Sequence, residues 1–486
     1  MTPIPVPPIA ISALAPVLIV MGTGGLVLLL DLLPPRDSKE HLAGLALAGL
    51  VGSLLATVWQ WGSDTRAFRE MIALDNYALF FHVVVGYAAA LVVLLSVDYI
   101  RRTGAETGEY YALVLFSASG MMLLASSTDL LVVFLSLELM SLSLYVLTGT
   151  FKTRLDSGEA SMKYFLLGSF ASSFLLYGIA LVYGATGTTN FERVAAATAG
   201  KGYDPLLLIG LGLMLVGFGF KLSSVPFHMW APDVYQGAPT SVTAFIATGS
   251  KAAAFAALIR LLYTGLRATQ PDWTVLLWAV AAVTMTVGNV VAIAQSNLKR
   301  MLAYSSVAHV GYMLVGLVGG GAHGASAVLF YLLAYTFTTA GTFGVLSVCG
   351  RSNADEAVDV KDYAGLARRH PLLAFVLSLF LLSLIGIPPL AGFVGKFYLF
   401  GAAVRGGYIW LVVIGVLNSA IAAYYYLRVI VYMYMREPDD ATPAGFVPSF
   451  AGGLALAISV VGIVLLGVVP APFADLALAA VAPLLK

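Results

Sequence analysis

Apolar runs of about twenty residues, the length a helix needs to cross a hydrocarbon core about 30 Å thick, recur from one end of the chain to the other. Fourteen such runs alternate with short polar connections: 9–33, 42–62, 77–100, 109–126, 128–148, 160–185, 205–222, 240–264, 273–295, 301–320, 324–349, 371–404, 408–435 and 447–470. The pattern predicts an all-α polytopic membrane protein with about fourteen transmembrane helices. The first run is too long for a signal peptide, has no basic region before it and is followed by further spans, so it is read as a retained helix. Few connections exceed twenty residues, which leaves little room for a separate soluble domain. The longest polar stretch is 350–370, RSNADEAVDVKDYAGLARRH from Arg351 onwards.

Two runs are interrupted by proline. A straight helix over 371–404 would be roughly 50 Å long at 1.5 Å per residue, too long for the core, and Pro388-Pro389 removes two backbone donors in its middle, so a break is predicted there. Pro226, with Pro232 and Pro239 behind it, predicts a second break after the seventh run. Irregular backbone at this depth is tolerated only where protein or water covers it. The seventh and twelfth spans are an odd number of crossings apart, so equivalent segments would be oppositely oriented, the arithmetic of an inverted repeat. The predicted organisation is 1–126 for the N-terminal helices, including the fourth, 109–264 for a first repeat of helices 4–8, 273–435 for a second repeat of helices 9–13, and 447–486 for helix 14 and the tail.

Of the 26 lysines and arginines, 13 fall in connections after odd-numbered spans and 7 in those after even-numbered spans and the tail. By the positive-inside rule both termini lie on the outer side. Composition agrees with the pattern: 60% of residues are hydrophobic and 10% charged, with a mean hydropathy of +0.91, against about 45–50% and 25% in soluble domains. A formal charge of +1 gives no basic surface for nucleic acid. The single cysteine, Cys349, excludes an internal disulfide and an iron–sulfur cluster, which takes about four cysteine ligands. Neither a Rossmann fingerprint nor a Walker motif is present. No cofactor is expected in this chain.

The remaining basic residues lie inside the spans, where an ionisable group is a functional candidate by default. Lys251 is about 16 Å into the eighth span and Glu138 about 14 Å into the fifth, both near the midplane. Lys221 and Lys396 lie beside the two breaks. A lysine taken out of water binds its proton less tightly, by as much as about 3–5 pKa units, and a carboxylate about 4 Å away restores about 4 kcal/mol in favour of the charged form. Glu138 is therefore expected to tune Lys221 in its own half, with Lys251 passing the proton towards Lys396. The alternative for such groups is a buried ion pair that fixes helix register. Lys163 starts its span and suits snorkelling as well as transport. His228 and His309 could relay protons near neutral pH or be structural histidines. Tyr424, Tyr425 and Tyr426 suit an interfacial belt or packing cluster more than a relay, and Arg260 and Arg428, nearer helix ends, are read mainly as anchors. The GLGL and GFGF stretches predict close helix contacts.

The stretches FLSLELMSLSLYVL, EASMKYFLLGSFASSFLLYGIALVYG, GFGFKLSSVPFHMWAPDVYQGAP, NLKRMLAYSSVAHVGYML and GIPPLAGFVGKFYLF, in this order over about 128–430, resemble subunit N of bacterial complex I, the proton-pumping NADH:quinone oxidoreductase. Subunit N is one of the antiporter-like subunits, similar to the large subunits of Mrp-type sodium/proton antiporters. The resemblance implies fourteen helices in two inverted five-helix repeats with broken helices 7 and 12. It matches Glu138, Lys221, Lys251 and Lys396 to the family's proton-transfer positions on helices 5, 7, 8 and 12, Lys163 to its sixth-helix lysine and His309 to a tenth-helix histidine. His228 and Tyr424 are carried as supporting residues. It further implies that NADH, FMN, iron–sulfur clusters and quinone bind partner subunits, that the partners are other membrane subunits including antiporter-like ones, and that the site of action is the bacterial inner membrane. A sodium/proton antiporter subunit and a charged scaffold for neighbouring subunits are the alternatives.

Overall fold

In the computed structural model, residues 10–33, 39–103, 107–200, 204–350, 356–437, 445–446 and 449–485 are described. Arg36, Lys201, Arg351 and Lys486, counted in the connection charge, lie outside them. Helices α1 (Ala15–Asp31), α2 (Glu40–Trp59), α3 (Asn76–Arg102), α4 (Gly108–Ser126), α5 (Leu130–Thr148) and α6 (Leu155–Thr186) are followed by α7 (Pro205–Leu222) and α8 (Thr240–Gly265). Then come α9 (Gln270–Ile293), α10 (Leu298–Gly319), α11 (Gly321–Val348), α12 in two halves (Pro371–Ile385 and Ala391–Arg405), α13 (Ile409–Met435) and α14 (Phe450–Val468). Several starts carry the side-chain cap that an exposed helix N-terminus requires: Asp75 accepts from Ala78 N, Asp129 from Leu131 N, Asp204 from Leu206 N ahead of Pro205, and Asn297 from Arg300 N. A small antiparallel hairpin, β1 (Thr65–Ala67) with β2 (Ile72–Leu74), joins α2 to α3.

Among the described residues thirteen helices are long and apolar enough to cross a membrane. The pattern predicts one more because it takes 371–404 as a single run. That stretch is two helices of 15 residues each, separated where the Pro388-Pro389 pair cannot supply backbone donors. Gly386 at the end of the first half has φ +95°, a conformation that glycine adopts without steric cost. A Cβ at Gly392 would stand 1.8 Å from the Ser383 carbonyl oxygen, so the second half packs against the first only because that position has no side chain. α7 stops at Leu222 with Ser223 left-handed (φ 64°), and after a turn through Pro226 the chain resumes as a short helix, Trp230–Gly237.

Burial is uneven. The apolar window of α8 is 100% buried within the chain, and those of α10 and α11 are 94% buried, whereas α1, α2 and α13 are 33% buried. A charge on α8, α10 or α11 therefore faces protein and not lipid. α8 is irregular: π-helical turns at Ile246–Ser250 and Leu261–Gly265 interrupt it immediately before Lys251 and after Arg260. Such turns are rare and cluster at functional sites.

Candidate functional site

Lys221 closes α7 at the break. Its Nζ donates to Ser141 Oγ on α5 (2.9 Å) and to Tyr164 OH on α6 (3.1 Å), and it lies over the Tyr164 and Tyr145 rings at 5.2 and 5.8 Å. Glu138 stands one helical turn from Ser141 and accepts from Ser172 Oγ at 2.5 Å. No ion pair within 4 Å joins Lys221 to a carboxylate among the described residues. Beside Lys221 is a cavity of about 10 Å³ lined by Ser141, Ser172 and Lys221, about the space one water occupies. Glu138 and Lys221 thus each bond a serine that lines this space, Ser172 and Ser141, without a direct ion pair between them.

From Tyr164 a polar and aromatic series leads to the second lysine. Tyr164 stacks on Trp230 with ring centroids 4.5 Å apart and planes at 8°, and Trp230 meets Tyr235 edge-on at 6.4 Å. Tyr235 OH shares a hydrogen bond with Ser306 Oγ at 3.3 Å, and Lys251 Nζ donates to the same Oγ at 2.5 Å and to Ser306 O at 3.2 Å. Tyr335 OH donates to Ser306 Oγ at 2.8 Å. Like Lys221, Lys251 is buried with no acid in ion-pair range among the described residues.

One turn beyond Ser306 on α10, His309 Nδ1 meets Tyr331 OH at 2.6 Å and Nε2 meets Tyr426 OH at 3.2 Å. Tyr426 OH also shares a short hydrogen bond with Ser305 Oγ. The third lysine follows through ring contact: His309 and Tyr312 rings are 5.6 Å apart, and Lys396 Nζ lies 4.6 Å over the Tyr312 ring. Lys396, on the second half of α12, donates to Ile385 O (2.8 Å) and Leu384 O (3.1 Å), the end of the first half. The helix break thereby exposes carbonyls at the negative end of a helix dipole to an ammonium. A Cβ at Gly395 would lie 2.4 Å from Tyr331, so the neighbouring glycine lets the His309 partner pack beside Lys396.

The supporting candidates divide. Lys163 is partly exposed at the start of α6 and pairs with Glu159 (2.6 Å) and Asp233 (2.9 Å), and Asp233 also binds Arg300 (2.6 Å). Partial burial pulls the Asp233 carboxyl up, but hydrogen bonds from Lys163 and Arg300 outweigh it and hold the group below the usual carboxylate range. Lys163 therefore belongs to a tie between α6, the Trp230–Gly237 helix and α10, next in sequence to Tyr164 but not bonded to Lys221. His228, in the bend after α7, packs against Tyr304 with ring centroids 6.3 Å apart, outside the Lys221 and Lys251 networks; burial pushes its imidazole pKa down. Tyr424 is 60% exposed, while Tyr425 and Tyr426 are buried. Consecutive helical residues are turned by about 100°, so only one of the three can face His309, and it is Tyr426. Removing that hydroxyl with Tyr426→Phe is expected to lower proton transfer several-fold, while Tyr424→Phe leaves it within error, measured as proton yield per electron in vesicles. The sequence does not single out Tyr164, Tyr235, Ser306, Tyr331 or Tyr335. The spacings 306/309 and 331/335 are the available signal, since residues three or four apart share a helix face.

Arg260 is not the anchor expected from its place near a helix end. It is buried and holds Asp75 through two hydrogen bonds, NH1 to Oδ2 at 2.7 Å and NH2 to Oδ1 at 2.8 Å, because its helix is the innermost of the bundle. Among the described residues no group of three or more His, Cys, Asp or Glu is arranged to hold a metal.

Comparison with known proteins decides the family. The family model described as NADH:quinone oxidoreductase/Mrp antiporter, TM, matches residues 127–422. The NADH-quinone oxidoreductase subunit N of Trichlorobacter lovleyi is 49% identical over 464 residues, 95% of each chain. The chain belongs to the NADH-quinone oxidoreductase subunit N family. A chain of respiratory complex I from Thermus thermophilus, solved with bound aureothin, is similar at 37% identity and a TM-score of 0.81, covering 96% of this chain and 99% of its own. A chain of the Mrp complex from Dietzia shares the fold at 24% identity and TM-score 0.81, covering 98% of this chain and 96% of its own. Subunit N proteins are membrane subunits of a respiratory enzyme complex, and the chain is a multi-pass protein of the bacterial membrane.

Proposed function

We propose that the chain carries protons across the membrane within NADH-quinone oxidoreductase, along Glu138, Lys221, Lys251, His309 and Lys396, driven by quinone reduction in other subunits. The observation that carries this reading is the set of three buried lysines, none with a carboxylate in ion-pair range among the described residues, with hydroxyl, phenol and imidazole groups interspersed between them and linked in places by ring contact alone. An ammonium buried without a counter-ion is costly, so each site responds strongly to any charge brought towards it. Hydroxyls and imidazole both donate and accept protons, which suits them to pass a proton between lysines whose states change in turn.

In this reading 109–264 and 273–435 are two inverted halves, each with a broken helix, and the termini lie on the outer side, as the charge bias of the connections supports. NADH, FMN, iron–sulfur clusters and quinone belong to partner subunits, other antiporter-like membrane subunits among them. The test is reconstitution of the intact assembly in sodium-free vesicles. NADH oxidation is expected to drive proton movement without sodium. Isolation of the chain free of flavin and iron–sulfur polypeptides, with sodium-dependent proton exchange, would establish the antiporter reading instead.

A further inference from the structure

A transmembrane proton path needs a barrier as well as carriers, since a continuous wet chain would discharge the gradient it builds. The largest cavity that bears on this question opens at the membrane face formed by the connections after α2, α4, α6 and α8 and by the C-terminal end. Its volume is about 430 Å³, and its walls include Asp64, Arg66, Glu70, Glu192, Arg260 and Arg267. That is many times the space one water needs, and its walls are polar. Arg260 is a lining residue almost closed off from the cavity: its side chain is 2% exposed and that of its partner Asp75 is 1% exposed.

The guanidinium is fixed on every side. Besides its two hydrogen bonds to Asp75, Nε donates to Ala125 O on α4 at 3.3 Å, and the group lies 4.7 Å over the Tyr77 ring. Tyr77 OH in turn donates to Ala256 O on α8 at 2.8 Å. Nine residues back along α8, about 13 Å at 1.5 Å per residue, is Lys251. The residues between, 252–259, are all apolar and all buried. His82, two turns deeper than Asp75 on α3, is buried with Nε2 on Met122 O (3.1 Å) and Ser126 Oγ (3.0 Å) and with Nδ1 lacking a hydrogen-bond partner. Protonatable groups therefore exist on the inner side of the ion pair and bulk-accessible space on its outer side.

We propose that the Arg260–Asp75 pair is the insulating floor of this cavity, a seal that keeps water and protons at this face from reaching Lys251. Arginine suits the task for a reason lysine does not: it stays protonated in any protein environment, so it cannot hand a proton on. With Asp75 held in both of its oxygens by that cation, neither member carries a proton between cavity and interior. The inference rests on Lys251 being a carrier, and the two fail differently: loss of the carrier stops pumping in tight vesicles, whereas loss of the seal makes vesicles leak at rest.

The experiment measures passive proton flux after an imposed pH step, without NADH, in vesicles holding the purified intact assembly. Arg260→Gln is expected to raise passive flux several-fold with NADH:quinone electron transfer retained. Arg260→Lys keeps a cation against Asp75 but one that can release its proton, and it is expected to leak as well. The double variant Asp75→Leu with Arg260→Met fills the floor with apolar atoms, a replacement that buried ion pairs often tolerate, and it is expected to assemble, pump and stay as tight as the parent. An assembled Arg260→Lys or Arg260→Gln protein as tight as the parent overturns the proposal. So does a double variant that assembles and leaks, or that is tight but no longer pumps, which would make the pair a carrier. If the single variants fail to assemble, the double variant decides between these outcomes by itself.

Discussion

Lys221→Ala is expected to abolish coupled proton movement in assembled enzyme, with a fall of about 10²-fold or more in transfer through the first half, the scale on which a positioned proton-transfer group contributes. The side chain bridges Ser141 on α5 and Tyr164 on α6, so alanine removes the proposed carrier and also separates the small cavity beside Ser141 from the Trp230–Tyr235 series. A purely structural role would produce a similar loss through poor assembly, and Lys221→Arg separates the two. Arginine keeps the cation and can bind the same hydroxyl and rings, yet it does not release a proton. Assembly is expected to survive in Lys221→Arg while the proton-to-electron ratio falls as far as in the alanine variant. Glu138→Ala is expected to act in the same direction, since it removes the carboxylate one helical turn from Ser141, the hydroxyl that Lys221 binds. Stable assembly with an unchanged ratio in either alanine variant would contradict the proposed path.

Glu138, Lys221, Lys251 and Lys396 are legible as candidates in one dimension because a charge inside a long apolar run has no ordinary explanation. The α12 break is legible for a similar reason, since two prolines in a run too long to cross straight leave the helix no alternative. What the chain does not show is which side chains those charges meet. Tyr164, Tyr235, Ser306 and Tyr331 come from different helices, and serine and tyrosine are common enough in apolar spans that only the helix-face spacings 306/309 and 331/335 give a signal, which reaches neither Tyr164 nor Tyr235. The choice among Tyr424, Tyr425 and Tyr426 depends on helix rotation, which hydrophobicity does not define in a stretch where every side chain could pack. Arg260 is misread from the sequence because distance from a helix end stands in for distance from water. α8 lies at the centre of the bundle, so its outer end is still inside protein, and the partner that stabilises the charge, Asp75, is 185 residues away in the chain. Glu356 is hidden in the same way. It belongs to the longest polar connection, whose composition reads as solvated, yet this carboxylate is turned inward.

Glu356→Gln is expected to destabilise the subunit by about 3–5 kcal/mol, the usual cost of leaving one member of a buried ion pair without its partner. Its Oε2 accepts from Lys299 Nζ at 3.2 Å, with side chains 4% and 1% exposed, and Arg154 approaches at 3.9 Å. Oε1 accepts from Thr240 Oγ1 at 2.5 Å and from Tyr99 OH. Lys299 also donates to Ala238 O at 2.7 Å. One carboxylate thus fastens the starts of α8 and α10 to α3 and to the α5–α6 connection, the places from which Lys251 and Ser306 are held in register. Burial raises the affinity of this carboxyl for a proton, but Lys299, the Thr240 and Tyr99 hydroxyls and Arg154 outweigh it and hold the pKa below the usual glutamic value. The contribution is therefore present above the unfolded-state pKa of about 4.3 and is lost as pH falls through the lower folded value. Melting curves of the solubilised assembly should show a gap between parent and Glu356→Gln that is constant from pH 7 to 5 and closes only below about pH 4. A gap that narrows between pH 7 and 5.5 would mean that Glu356 exchanges its proton in the working range, which is the behaviour of a carrier and not of a tie.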